Sequence, residues 1–271
     1  MVIFKYEMKN HFKYILSWSV ALAVCIFVMI PVYYSLLGGA ESNNNPLYDT
    51  LGSTDFFQSI GFSLDYLTTP LGVYSFLASF FMIAAGIFGM YFGISIHTKE
   101  FSGKTSEYLF TKPHTRKDIF LSKAFTVFCG TLIVGIFFMS ASFLALLLFQ
   151  PGFSVWDFFL ISKSLFLVTL FLAAFGLLIG IAFSANRSPL LTAGLIVFVE
   201  YCITSSSRIV GNRLLSFLSP YSFFSAAEIS RIGFYELDYL TWYLVLLVIF
   251  LLTAYNIFMK KDVQFRSGSV K

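Results

Sequence analysis

Long apolar runs alternate with short polar segments along the whole chain. Each run has about 20 or more residues, enough for an α-helix to cross the hydrocarbon core of a bilayer. The runs are continuous and do not alternate residue by residue, as strands of a membrane barrel would. The pattern predicts an all-α integral membrane protein, with one membrane domain over residues 1–271. The predicted spans are residues 15–37, 71–96, 122–149, 161–183, 190–206 and 240–259.

Composition and loop lengths agree with this class. The chain is 58% hydrophobic and 12% charged, about half the charge of an ordinary soluble domain. The longest loops have only about 33 residues, too few for a separate soluble domain. The first apolar run has 23 residues, more than the core of a signal peptide, so a retained span is predicted. The cysteines, which all fall inside apolar runs, are predicted to be buried free thiols: Cys25, Cys129 and Cys202.

The distribution of charge predicts the orientation. With both termini in the cytosol, 14 of the 18 Lys and Arg residues lie in cytosolic segments. The loop 38–70 then lies outside, and it has four acidic residues and no basic one. Because basic residues are retained on the cytosolic side, this topology is the favoured one.

Two outer segments have apolar residues at helical spacing, residues 54–67 and 209–232. Short amphipathic helices there could lie at the membrane surface or pack as a lid on the bundle. Glu200, an ionisable residue in the fifth span, is a candidate for a transport pathway or gate together with Phe223 and Phe224. The alternatives for Glu200 are a hydrogen bond to a neighbour or a place near the outer interface.

Small residues recur at four-residue spacing in two spans. Gly89 and Gly93 form such a row in the second span, and Gly176 and Gly180 form one in the fourth. Because glycine has no side chain, such rows let helix backbones approach closely. The rows indicate either packing within one bundle or a subunit interface.

The patterns of catalytic and cofactor sites are absent. Gly103-Lys104-Thr105 resembles the end of a phosphate-binding loop, but Thr98 stands where the first glycine is required. The three histidines have no metal-ligand spacing. We therefore predict no catalytic, cofactor or metal site and no nucleic-acid partner, and any energy for transport must come from outside the chain.

The polar segment 97–123 contains a set of charged, small and proline residues at characteristic spacing: Glu100, Gly103, Thr105, Glu107, Leu109, Pro113, Arg116 and Lys123. This set resembles the signature of ABC transporter type-2 permeases. Lys104 separates the glycine from the threonine of that signature, and Phe110 stands where leucine is common. The resemblance extends over the whole chain, including a Leu-Ser-Pro-Tyr stretch at 218–221.

The resemblance implies an assembly. Two permease copies, identical or different, would pair in a bacterial-type plasma membrane with two ATP-binding cassette subunits that hold ATP and Mg. Residues 1–14 would form an amphipathic interface helix along the inner membrane surface, and residues 207–239 would form extracellular helices before the last span. The segment between spans two and three would be a coupling helix that docks on the ATPase. Its candidate docking residues are Glu100, Gly103, Lys104, Thr105, Glu107, Leu109, Pro113 and Arg116.

Helix geometry agrees with that docking role. Glu100 and Glu107 are seven residues apart and share a helix face, with Lys104 four residues after Glu100. Pro113 disfavours helix at the preceding residue and ends the first helix.

The expected function is the permease subunit of an ATP-driven exporter. The apolar and aromatic spans favour amphipathic peptides, such as toxins or antimicrobial peptides, or other hydrophobic compounds as cargo. Immunity against such peptides is included in this expectation. A secondary carrier or channel is the alternative, which would need several charges inside the membrane. A membrane-embedded lipid-modifying enzyme is the third hypothesis, and it would need clustered catalytic groups.

Overall fold

The computed structural model describes residues 2–37, 69–102, 115–150, 152–183 and 188–260. All regular structure within these residues is helical, and six of the helices are long and apolar enough to cross a membrane. The prediction of an all-α protein with six spans is confirmed. The helices are α1 (Val2–Leu37), α2 (Pro70–Ser102), α3 (Arg116–Phe149), α4 (Val155–Ala182), α5 (Pro189–Val210), α6 (Arg213–Ser216), α7 (Pro220–Phe223), α8 (Ala226–Ile232) and α9 (Leu237–Lys260).

Polar capping residues set where several helices begin and end. Thr115 caps α3 and Ser154 caps α4, each accepting a hydrogen bond from the amide of an aspartate three residues later. An acid in the first turn also complements the helix dipole. Helix α5 starts at Pro189 and is capped after Val210 by Gly211, whose φ of 66° is left-handed and therefore suits glycine.

The first helix differs from its prediction. We expected a separate interface helix over residues 1–14, followed by a span from residue 15. The structure instead has one uninterrupted helix over Val2–Leu37, so the expectation of two separate helices is wrong. The helix has no glycine, and its proline, Pro31, lies in its last third, so nothing in the first 30 residues breaks the hydrogen-bond ladder.

Helices α2 and α4 form the centre of the bundle. In the most apolar 18-residue stretch of each helix, 61% of the residues are buried, against 17% in the same kind of stretch of α9. They pack on each other in parallel along most of their length, while α1 packs on α3, α5 on α2 and α9 on α4. The outer helices therefore present broad apolar faces away from the bundle, as expected for contact with lipid.

Helices α7 and α8 fold back onto the bundle, whereas α6 has no buried residue. All four residues of α7 are buried, as are Ala226, Ala227 and Ile229 of α8. Helix α8 contacts both α2 and α4. Of the two alternatives for residues 209–232, the structure has the packed one for residues 220–229, whereas Ile209, Leu214 and Leu218 are 70%, 78% and 60% exposed. Residues 54–67 lie outside the described residues.

Candidate functional site: two polar clusters in an apolar bundle

The glycine rows of α2 and α4 face each other. A Cβ atom added to Gly89 would lie 2.5 Å from the carbonyl oxygen of Thr169, and one added to Gly180 would lie 2.6 Å from that of Ile94. Gly93 and Gly176 likewise meet the backbone of the opposite helix. The four glycines thus lie where the two central helices of one chain touch, the arrangement expected of packing within the bundle.

A group of buried and partly buried ionisable side chains lies at one end of the bundle; we call Glu7, His11, Lys99 and Lys123 the ionic cluster. The Glu7 carboxylate contacts the ammonium of Lys99 and lies 3.7 Å from that of Lys123. The Lys99 ammonium is also 2.9 Å from Nε2 of His11. Glu7 is 1% exposed and Lys123 is fully buried.

The cluster joins three helices. Glu7 and His11 are four residues apart on one face of α1, Lys99 is in the last turn of α2, and Lys123 is in the second turn of α3. Lys123 also donates to the carbonyl oxygen of Ile96 at 2.7 Å. Because charges buried without partners are costly, these pairs fix the three helices relative to one another.

The end of the last helix lies beside the ionic cluster. The His97 ring is 5.4 Å from the ring of Phe258, and Arg116 donates to the carbonyl oxygen of Met259 at 3.0 Å. Ile3 of α1 belongs to the same small apolar cluster as Phe258. The start of α1 and the end of α9 are therefore at the same end of the bundle. That this end lies in the cytosol stays a prediction.

The predicted docking residues border the ionic cluster. Arg116 is the first residue of α3, and Glu100 belongs to the last turn of α2, although its side chain is not among those described. Glu100 thus directly follows Lys99 in α2, and Arg116 lies about two turns before Lys123 in α3. The remaining docking candidates lie outside the described residues: Gly103, Lys104, Thr105, Glu107, Leu109 and Pro113.

A second polar group lies where α5 meets the short helices; we call Thr204, Ser219, Ser222 and Tyr221 the hydroxyl cluster. The Thr204 hydroxyl donates to Ser219 at 2.7 Å and accepts from Ser222 at 3.2 Å. All four residues are buried. Glu200 is one turn before Thr204, and its Oε2 is buried without a hydrogen-bond partner among the described residues.

Tyr221 reaches the central helix α2. Gly86 leaves room for it, since a Cβ atom there would collide with the Tyr221 hydroxyl. That hydroxyl is buried and has no hydrogen-bond partner in the described part of the chain. Burial raises the pKa of Tyr221 well above its usual range, so the phenol keeps its proton. Sequence reasoning missed Gly86 and Tyr221 as a pair, although the Leu-Ser-Pro-Tyr stretch contains Tyr221.

Phe223 and Phe224, predicted with Glu200 as a pathway or gate, lie in a closed aromatic group. The Phe223 ring is 5.8 Å from that of Tyr239, and the Phe224 ring is 5.0 Å from that of Tyr243. Both phenylalanines are buried, as core side chains are. Their part in a gate stays a prediction.

These features together define a multi-pass membrane protein with buried ion pairs at one end and buried hydroxyl groups at the other. Within the described residues, no three His, Cys, Asp or Glu residues are close enough to hold a metal ion.

The chain belongs to a known family: a family model described as "ABC-2 family transporter protein" matches residues 1–263, so the chain is a member of that family. It is the membrane subunit of an ABC transporter and not itself the catalytic one. A search of the curated proteins found no match.

Proposed function

We propose that this chain is the permease subunit of an ATP-driven exporter. The family implies an ATP-binding cassette ATPase as its partner. Residues 100–116 would dock on that ATPase, which would hold ATP and Mg. Two copies of each subunit, with identical or different permeases, would make up the transporter.

The ionic cluster is the observation that carries this proposal. Its ion pairs tie α1 to the end of α2 and the start of α3, the two helices that border the docking segment. A force applied to that segment would move the three helices together, since separating a buried pair costs about 3–5 kcal/mol. Closure of the ATPase could therefore shift the bundle between two states, as differential binding requires.

The chemistry of the spans supports an amphipathic cargo. The chain has 35 Phe residues, and most of the polar side chains buried in the described bundle are serines and threonines. Such surfaces suit peptides with apolar faces, or other hydrophobic compounds, better than highly charged solutes. Export of a toxin or antimicrobial peptide, or protection against one, is the cargo class we propose.

Charge reversal tests the docking. The double variant Glu100→Lys with Glu107→Lys should lose co-purification with the ATP-binding cassette partner, because acids that would pair with basic groups of the ATPase are replaced by cations. The matched control reverses Glu236 and Asp238, two exposed acids near the hydroxyl cluster that both pair with Arg213. Unchanged co-purification and ATP hydrolysis in the first variant would sink the proposed docking.

A secondary carrier is the second candidate, favoured by the buried, unpartnered Oε2 of Glu200. A carrier of this kind would use protonation of Glu200 to couple transport to an ion gradient. It predicts gradient-driven uptake into vesicles that hold the chain without any ATPase, abolished by Glu200→Gln. ATP-dependent transport that persists in Glu200→Gln would contradict it.

A further inference from the structure

A groove of about 270 Å³ lies between α3 and α4. Ile136 of α3 and Phe159 of α4, which line it, are 47% and 45% exposed, so the groove opens away from the bundle. Gly135 lets Phe166 approach, since an added Cβ atom would be 3.3 Å from that side chain. The site is therefore an apolar slot on the surface that lipid surrounds.

Lys163 is the charged residue in the lining of this groove. Its side chain is exposed, and within the described residues none of the ion pairs includes it. Its ammonium lies 5.9 Å from the centre of the Tyr235 ring. That ring is held in place, because the Tyr235 hydroxyl donates to the carbonyl oxygen of Leu160 at 2.7 Å.

The depth of Lys163 makes an anionic neighbour favourable. Trp156, 68% exposed near the start of α4, is the kind of residue that marks the membrane interface. Lys163 is seven residues further, about 10 Å deeper along the helix axis. Its side chain leans back towards the helix start, as helical side chains do, so the ammonium points towards the headgroups. A cation facing lipid at this depth is costly unless an anion reaches it.

The shape of the groove suits the apolar part of an anionic amphiphile whose charged group lies at Lys163. Because α3 and α4 are antiparallel neighbours joined by a short connection, Met139 and Phe159 line its part nearer the start of α4. Phe166 lines its deeper part. A phosphate at Lys163 would thus have an apolar slot below it and the interface above it.

We propose that this groove binds one anionic phospholipid, with the phosphate at Lys163 and an acyl chain between α3 and α4. A lipid with net negative charge is favoured over phosphatidylethanolamine, whose own ammonium competes with Lys163 for the phosphate. The proposal does not depend on ATP-driven export, so either can fail alone.

Native mass spectrometry of the full chain tests this site, after release from nanodiscs that contain equal phosphatidylglycerol and phosphatidylethanolamine. The wild-type chain should retain phosphatidylglycerol in preference to phosphatidylethanolamine at one site. Lys163→Gln should lower that preference about fivefold, which is the effect of removing one cation. Lys163→Arg should keep it. Ile136→Trp, which fills the groove, should remove both lipids from the site.

Arg213→Gln is the matched control. Arg213 is also an exposed cation, but it already pairs with Glu236 and Asp238, so its loss should leave lipid retention unchanged. Equal phosphatidylglycerol preference in the wild type and Lys163→Gln would overturn the proposal. So would a shift from dimer to monomer in Lys163→Gln and Ile136→Trp with no change in bound lipid, because the groove would then be an interface between two copies of the chain.

Discussion

The ionic and hydroxyl clusters hold the two ends of the bundle by different chemistry. The ionic cluster joins three long helices through charges whose partners are 88 and 92 residues apart in the chain. The hydroxyl cluster joins α5 to the short helices that follow it, through neutral groups 15 and 18 residues apart. Buried ions left without partners cost far more than hydroxyls that lose one. We therefore expect the ionic end to move as a unit and the hydroxyl end to open more easily.

The largest expected effect is that of Glu7→Gln. Glu7 is the one carboxylate of the ionic cluster, so the variant leaves Lys99 and Lys123 close together without an anion. We expect the free energy of unfolding to fall by about 3–5 kcal/mol. Thermal unfolding of the chain in detergent measures it.

Glu236→Gln is the matched control for that variant. Glu236 pairs with Arg213 at 3.4 Å, but both side chains are well exposed. The same chemical change there should cost about 0–1 kcal/mol, because water replaces the lost partner. If Glu7→Gln costs no more than Glu236→Gln, the ionic cluster is not what holds its end of the bundle.

Lys123→Met should be milder than Glu7→Gln although Lys123 is fully buried. Glu7 keeps Lys99 as a partner, and the carbonyl oxygen of Ile96 loses one hydrogen bond. We expect a loss of about 1–3 kcal/mol in the free energy of unfolding. The order of the two variants is the informative result, since a larger loss in Lys123→Met would make Lys123, and not the carboxylate, the centre of the cluster.

The spans could be predicted from the sequence because hydropathy is a local property. The ends of the helices could not be predicted in this way. Helix α1 begins at residue 2 and α3 at residue 116, because polar residues there continue the helix instead of ending it. Hydropathy marks the apolar part of a helix and not its caps. Lys99 was therefore counted only as a cytosolic charge, Lys123 only as a cytosolic charge and a residue of the permease signature, and Glu7 had no role at all.

Tertiary partners account for the rest of the difference. The rows at Gly89 and Gly176 were recognisable by spacing, but which helix each row meets depends on the arrangement of the bundle. Glu200 was recognised because a carboxylate in an apolar run is rare. Thr204 and Ser222, which form the hydrogen bonds beside it, are ordinary residues in any sequence.

Thr204→Val tests the strength of the hydroxyl cluster. Valine keeps the shape of the side chain but removes the group that bonds to Ser219 and Ser222. We expect a loss of about 1–2 kcal/mol in the free energy of unfolding, because both serines stay buried with fewer partners. A loss as large as that of Glu7→Gln would remove the contrast between the two ends.

The smallest effect on stability is expected for Tyr221→Phe. The Tyr221 hydroxyl is buried without a partner among the described residues, so its removal relieves a desolvation cost and leaves the ring in place. The free energy of unfolding should change by no more than about 0.5 kcal/mol.

Transport measured in vesicles with the ATPase then separates two roles for this end of the bundle. Reduced transport with unchanged stability would indicate that the hydroxyl and the nearby Glu200 face the cargo route, as the proposed pathway requires. Unchanged transport would limit Tyr221 to packing against Gly86 and leave the route to be sought between other helices.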